Sequence, residues 1–292
     1  MFGVERLAFD VEPRAATQRC HDAHPHSARA SGGPNIKRQT LNSKHQADIA
    51  PARLDEPASH RDKRRTLEKT LLLFDIDGTL IRSGGCGERA LRLAVHDTFG
   101  VEDDLHDIEI AGRTDTRIAR QLLRKYGRDV TDEGITAILD SYLRHLPALL
   151  RESQGQVLPG VEALLPLLKP RGDVVLALLT GNLVRGAQHK LSHYGIWDYF
   201  TFGAFADDHH ERDHLGPFAL ARARALGHDI ALSRTFVIGD TEHDISCARA
   251  IGAKAVAVAT GSFSAARLAP HAPDVLLENM ADIPATLRAF GL

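Results

Sequence analysis

Cysteine is scarce: Cys20, Cys86 and Cys247 are the three in 292 residues. They are too widely spaced and odd in number for a disulfide framework or a CxxC metal ribbon. No apolar run approaches the roughly 20 residues that span a bilayer, and the opening MFGVERLAFDVEP lacks the apolar stretch of a secretory signal. Both absences point to a cytoplasmic protein with no membrane partner. Charge of one sign is lacking too: the net charge is -2 and the pI about 6.8. Without a global basic field there is no counterion release to hold a polyanion, so nucleic acid is not expected as a partner. Apolar residues, at 43%, suffice for one sizeable core plus a smaller appended domain and exclude a wholly disordered chain.

Residues 1–68 mix His, Arg, Ser, Ala, Asp and Pro without apolar periodicity, as in AHPHSARASGGPNIKRQ. Such a stretch cannot bury enough surface to order itself, and we read it as a disordered extension. An organelle-targeting peptide is disfavoured by Glu5, Asp10 and Asp22. Upstream sequence included by a misplaced start is the other alternative.

At Thr70 the character changes to TLLLFD, a short apolar run that suits a strand buried on both faces of a parallel sheet. VVLALLT (174–180), TFVIGD (235–240), AVAVAT (255–260) and DVLLEN (274–279) repeat the type, with helix-like stretches between. Strand alternating with helix predicts an α/β fold, a doubly wound parallel sheet of Rossmann-like kind. After the second strand, Val184, Ala187, Leu191 and Tyr194 fall at spacings of three and four on one helix face, ending at Gly195. Segments 87–99, 114–126 and 132–151 read as an inserted helical cap, with Thr114 and Thr131 as N-caps and Gly100 and Gly127 as stops. Pro147 is expected to bend or shorten the third of these helices. The domains so drawn are a core of 69–84 and 156–292 and a cap of 85–155.

Asp75-Ile76-Asp77-Gly78-Thr79 follows the first buried strand directly, which places both carboxylates where open α/β sheets build ligand crevices. Gly78 lets the chain turn sharply there. Asp240 and Asp244, in GDTEHD, close another apolar strand and open a helix. Clustered oxygen donors of this kind suit a hard cation such as magnesium, whereas zinc would want His or Cys. Asp is also common in turns and helix caps, and either motif alone would fit that plain role. Their conjunction favours chemistry, provided positions 75, 77 and 240 meet around one divalent ion. A third strand end, Leu179-Thr180-Gly181-Asn182, offers a hydroxyl and the backbone N–H groups of the next helix to a phosphate oxygen.

DIDGT, LLTGN and GDTEHD, in that order and each closing a strand, resemble motifs one, two and four of the haloacid dehalogenase-like hydrolase superfamily. The helical insertion after the first resembles the cap of its phosphoglycolate phosphatase-like branch. The resemblance covers roughly residues 70–292 and leaves the first 68 without counterpart. It implies that Asp75 is the nucleophile on phosphorus, forming an aspartyl-phosphate, and that Asp77 is the acid and then the base. It further implies magnesium held by Asp75, the Asp77 backbone carbonyl and Asp240, with Asp244 reaching it through water or orienting its neighbours. Thr180 and the Asn182 N–H, beside Gly181, would bind the phosphoryl group.

Motif three normally supplies a Lys, yet none lies between Lys190 and Lys254. Counting back from Pro217-Phe218, the matching position is Arg212, which can grip phosphate or carboxylate bidentately; an ordinary loop arginine is the alternative. The second Asp of DIDGT separates this chain from the dehalogenase and phosphonatase branches, which lack it. Arg113, in Ala111-Gly112-Arg113-Thr114-Asp115, resembles a cap-loop residue that could meet the non-reacting end of a substrate; a surface arginine is the plainer alternative. His210 and His214, at helical spacing among the 16 histidines, suit a solvated loop better than a zinc site.

The resulting expectation is a magnesium-dependent phosphatase of a small phosphorylated metabolite, with phosphoglycolate leading, as a monomer or homodimer. A sugar-phosphate mutase of the same superfamily is the runner-up, mildly disfavoured because DIDGT departs from the mutase-like DGV pattern. A non-catalytic module with the same fold would not need Asp75, Asp77 and Asp240 together.

Overall fold

A computed structural model describes residues 68–292. The expectation for residues 1–68 thus lies, save for Glu68, outside the described residues. In chain order, β1 (Thr70–Phe74) and the short β2 (Ile81–Arg82) precede α1 (Cys86–Phe99), α2 (Asp115–Lys125) and α3 (Asp132–Arg151). The chain returns through β3 (Gln156–Val157) to α4 (Val161–Leu168), β4 (Val174–Leu179), α5 (Val184–His193) and β5 (Gly203–Ala204). There follow α6 (Leu215–Ala225), β6 (Thr235–Gly239), α7 (Glu242–Ala250), β7 (Lys254–Val258), α8 (Ala265–Leu268), β8 (Val275–Leu277) and α9 (Ile283–Ala289).

The six-stranded sheet runs β5-β4-β1-β6-β7-β8 with every pairing parallel. The winding reverses between β1 and β6, where Phe74 lies opposite Ile238. Strands on either side of a reversal send their loops apart and open a crevice at their carboxyl ends. TLLLF is apolar throughout because both faces are covered: Leu72 and Phe74 pack with α4, α5 and α9, while Leu71 and Leu73 pack with α6 and α7. With period-two alternation, each face receives every second side chain. Each fully buried Leu contributes about 1.5–3 kcal/mol.

The inserted helices share a separate cluster that includes Leu91, Ile118, Leu122, Ile138 and Leu146. Thr114 and Thr131 cap α2 and α3 as expected, accepting from Arg117 N and Gly134 N at 3.1 Å each. β2 and β3 pair antiparallel at the two ends of this insertion. Pro147 does not shorten its helix: α3 runs its full 20 residues past it. The apolar face Leu143, Leu146 and Leu150 stays buried through the proline, and that packing offsets the single missing helical hydrogen bond. Strands β2, β3 and β5, two residues each, are too short to leave a periodic signal. Among the described residues no helix is long and apolar enough to cross a membrane.

Candidate active site

Asp75 and Asp240 leave the carboxyl ends of β1 and β6 on either side of the winding reversal, and Asp244 follows in the first turn of α7. Carboxylate oxygens of these three buried residues all lie within 4.8 Å of one another. The Asp75 carboxylate faces the Arg212 guanidinium at 3.0 Å. Arg212 also holds Asp244 and donates to the Gly112 carbonyl at 3.0 Å, which ties the core to the inserted segment. Asp244 has a second duty: its Oδ2 accepts the Thr241 N–H at 3.0 Å and the Thr241 hydroxyl at 2.8 Å, a capping box on α7.

Three carboxylates with one guanidinium leave a buried excess of negative charge. Burial pushes the Asp75 carboxyl up to about 6 against the pull of Arg212. Burial, reinforced by Asp244 and Asp75, holds Asp240 well above the usual carboxylate range. A hard divalent cation would relieve both, and the all-oxygen donor set fits magnesium. The backbone is shaped for close approach to the same carboxylate. Gly78 has φ +83°, and a Cβ there would stand 2.4 Å from Asp240 Oδ2; a Cβ at Gly261 would stand 1.7 Å from that atom. Thr79 Oγ1 reaches Asp240 Oδ1 only at 3.4 Å, so this carboxylate keeps acceptor capacity.

Asp77 sits beside this cluster with different partners. Its Oδ2 accepts from Lys190 Nζ at 2.6 Å and Asn182 Nδ2 at 2.9 Å, and Ser83 Oγ stands 3.4 Å from Oδ1. Burial would raise the Asp77 carboxyl, but the Lys190 charge and these hydrogen bonds outweigh it and hold the group below its ordinary value. Thr180 is fully buried, and its hydroxyl oxygen accepts from Asn182 Nδ2 at 2.9 Å.

The structure alters two parts of the sequence reading. At the start of the helix whose N–H groups the sequence offers to phosphate, those of Leu183 and Val184 are occupied by Asp115 Oδ2 at 2.8 Å and Asp207 Oδ2 at 2.7 Å. Carboxylates already complement that helix start, which leaves Gly181 and Asn182 as the part of the loop lining the crevice. The Asn182 N–H itself turns to Thr180 Oγ1 at 3.3 Å. Arg113 does reach the cavity wall, but its guanidinium is engaged by Glu109 at 2.6 Å.

Lys190 and Asp115 were missed. Lys190 shares the buried face of α5 with Gly186, Ala187 and Leu191. A charged residue three positions after Ala187, on an apolar face, was the available signal. Asp115, in the first turn of α2, is pushed up to about 6 by burial against the opposing charge of Lys190. Its N–H donates to the Gly181 carbonyl at 2.7 Å, a second tie across the site. His210, expected in a solvated loop, stacks on His209 with ring centroids 4.6 Å apart.

Asp75, Asp77, Asp115, Lys190, Arg212 and Asp240 open on a cavity of about 480 Å³, whose wall from the inserted segment includes Leu91, Ile110, Ile118 and Tyr142. That volume lies within the range of small-molecule sites.

A family model described as haloacid dehalogenase-like hydrolase matches residues 72–249. The "Probable phosphatase IndB" of Dickeya dadantii (strain 3937) is 30% identical over 228 residues, covering 76% of this chain and 95% of the relative. A "Phosphoglycolate phosphatase" of Yersinia pseudotuberculosis is 28% identical over 221 residues, covering 75% and 92%. The crystal structure of a hydrolase from Pseudomonas syringae superposes with a TM-score of 0.61 at 22% identity, covering 76% of this chain and 99% of that one. The chain belongs to the haloacid dehalogenase-like hydrolases, and its relatives place it among the phosphatases of that family.

Proposed function

We propose that the protein is a magnesium-dependent phosphatase that hydrolyses a small phosphomonoester through an aspartyl-phosphate on Asp75. The observation that carries this reading is the convergence of Asp75, Asp240 and Asp244 within 4.8 Å at the winding reversal, with Asp77 beside them. Asp75 and Asp240, with the Asp77 carbonyl, would hold the ion, and Asp244 would orient Arg212. When bound, magnesium supplies positive charge that offsets repulsion between carboxylate and phosphate.

The side chains do the rest. An Asp75 oxygen attacks phosphorus while Arg212 and Thr180 supply fixed donors where negative charge gathers. The Arg212 Nε–H is buried without a protein partner, which suits it to a phosphate oxygen. Asp77 protonates the departing alcohol and afterwards takes a proton from water. Lys190 keeps Asp77 ionised in the free enzyme, the form that activates water. An arriving phosphate adds like charge beside Asp77 and favours the protonated form that the first step uses.

For the substrate we infer a phosphoglycolate-like ester. Arg113 and Arg82 line the cavity and could meet a carboxylate. A panel of phosphorylated metabolites, assayed with and without magnesium, tests the reading. Phosphate release that needs magnesium supports it, an isomerised phosphate product means a mutase, and silence on every member means a non-catalytic module.

A further inference from the structure

Lys190 is 4% exposed, and a buried ammonium is costly unless each of its donors is matched. Here Nζ donates to Asp77 Oδ2 and Asn182 Oδ1 at 2.6 Å each. The ammonium only donates, so the Asn182 oxygen must face it. The amide nitrogen then faces Asp77 Oδ2 and Thr180 Oγ1, both at 2.9 Å. One oxygen of Asp77 is therefore held by two donors. The other has Ser83 at a long 3.4 Å, and the side chain is 40% exposed on the cavity.

We propose that Lys190 is a positioning residue: with Asn182 it anchors Oδ2 of Asp77, so that Oδ1 is the oxygen that passes protons. The proposal rests on the phosphatase reading. As the Asp75 oxygen bonds to phosphorus, the bond from phosphorus to the alcohol oxygen breaks and Oδ1 gives that oxygen its proton. Water oxygen then bonds to phosphorus and its proton passes to Oδ1. The bond from phosphorus to Asp75 breaks, releasing phosphate and restoring the Asp75 carboxylate. Lys190 keeps its proton throughout.

Leaving-group dependence separates this role from a merely structural ion pair. A nitrophenolate departs without protonation, whereas an alkoxide needs it. In a double-displacement reaction kcat/KM reports the half-reaction in which the leaving group departs, so the return of water does not enter. The experiment measures kcat/KM of the full chain with magnesium for wild type, Lys190→Met and Lys190→Arg, using glycerol phosphate and p-nitrophenyl phosphate. General acid catalysis contributes about 10²–10⁴-fold. Lys190→Met is expected to lose at least about tenfold more on the alkyl ester than on the aryl ester, with Lys190→Arg between it and wild type. Equal losses on both esters, or no loss, overturn the proposal. Should thermal melts show Lys190→Met unfolded, Lys190→Arg decides alone: a larger loss on the alkyl ester supports the role and an equal one rejects it. A folded wild type that cleaves neither ester nor any member of the metabolite panel removes the phosphatase reading and this proposal with it.

Discussion

Replacing Asp75 by Asn should stabilise the metal-free protein at neutral pH while abolishing turnover. Asp75 is 4% exposed, and its carboxyl is raised from 3.8 to about 6 because burial outweighs the attraction of Arg212. A rise of about 2 units corresponds to about 3 kcal/mol against the ionised folded state, at 1.36 kcal/mol per unit. The asparagine amide is nearly the same shape and carries no charge. The sign follows from proton uptake. Between the unfolded value of 3.8 and the folded value of about 6 the native state binds more protons than the unfolded one. The penalty is therefore fully present above 6 and relieved as pH falls toward 4. Thermal melts in EDTA at pH 7.5 should show Asp75→Asn higher by up to roughly 6–12 °C, taking about 2–4 °C per kcal/mol for a domain of this size. The gap should narrow at pH 5. A mutant melting at or below wild type at pH 7.5 would refute the view that these carboxylates are held in conflict until a cation arrives.

Asp240→Asn should raise the magnesium concentration for half-maximal phosphate release at least about tenfold, because one of few oxygen ligands is weakened; activity titrated against free magnesium checks this. Gly78→Ala combines a left-handed backbone, about 1–2 kcal/mol unfavourable for alanine, with a Cβ placed 2.4 Å from Asp240 Oδ2. Its kcat/KM should fall by about tenfold or more, and unchanged kinetics at equal magnesium would show that the Asp240 position is not critical. Thr131→Ala removes the cap of α3, whose hydroxyl accepts from Gly134 N at 3.1 Å. It should cost about 1 kcal/mol in a chemical denaturation curve and leave kcat/KM alone, since Thr131 does not line the cavity.

The sequence alone carried the sheet, because TLLLF, VVLALL and TFVIG are apolar on both faces only where helices cover both. It carried the three inserted helices and their caps, because capping is read within four residues. The positions of Asp75, Asp77, Asp240 and Asp244 were legible because each sits at or just past a strand end. Tertiary structure decided which charges meet. Arg212 could be proposed from the spacing of a motif, but its pairing with Asp75 and Asp244 depends on how α6 and α7 lie on the sheet. Lys190 is 113 residues from Asp77 and gave no local sign of it. Nor could sequence show that Asp115 and Asp207 occupy the start of α5. Helix and strand signals are periodic along the chain, whereas a buried ion pair is fixed by how separate elements pack.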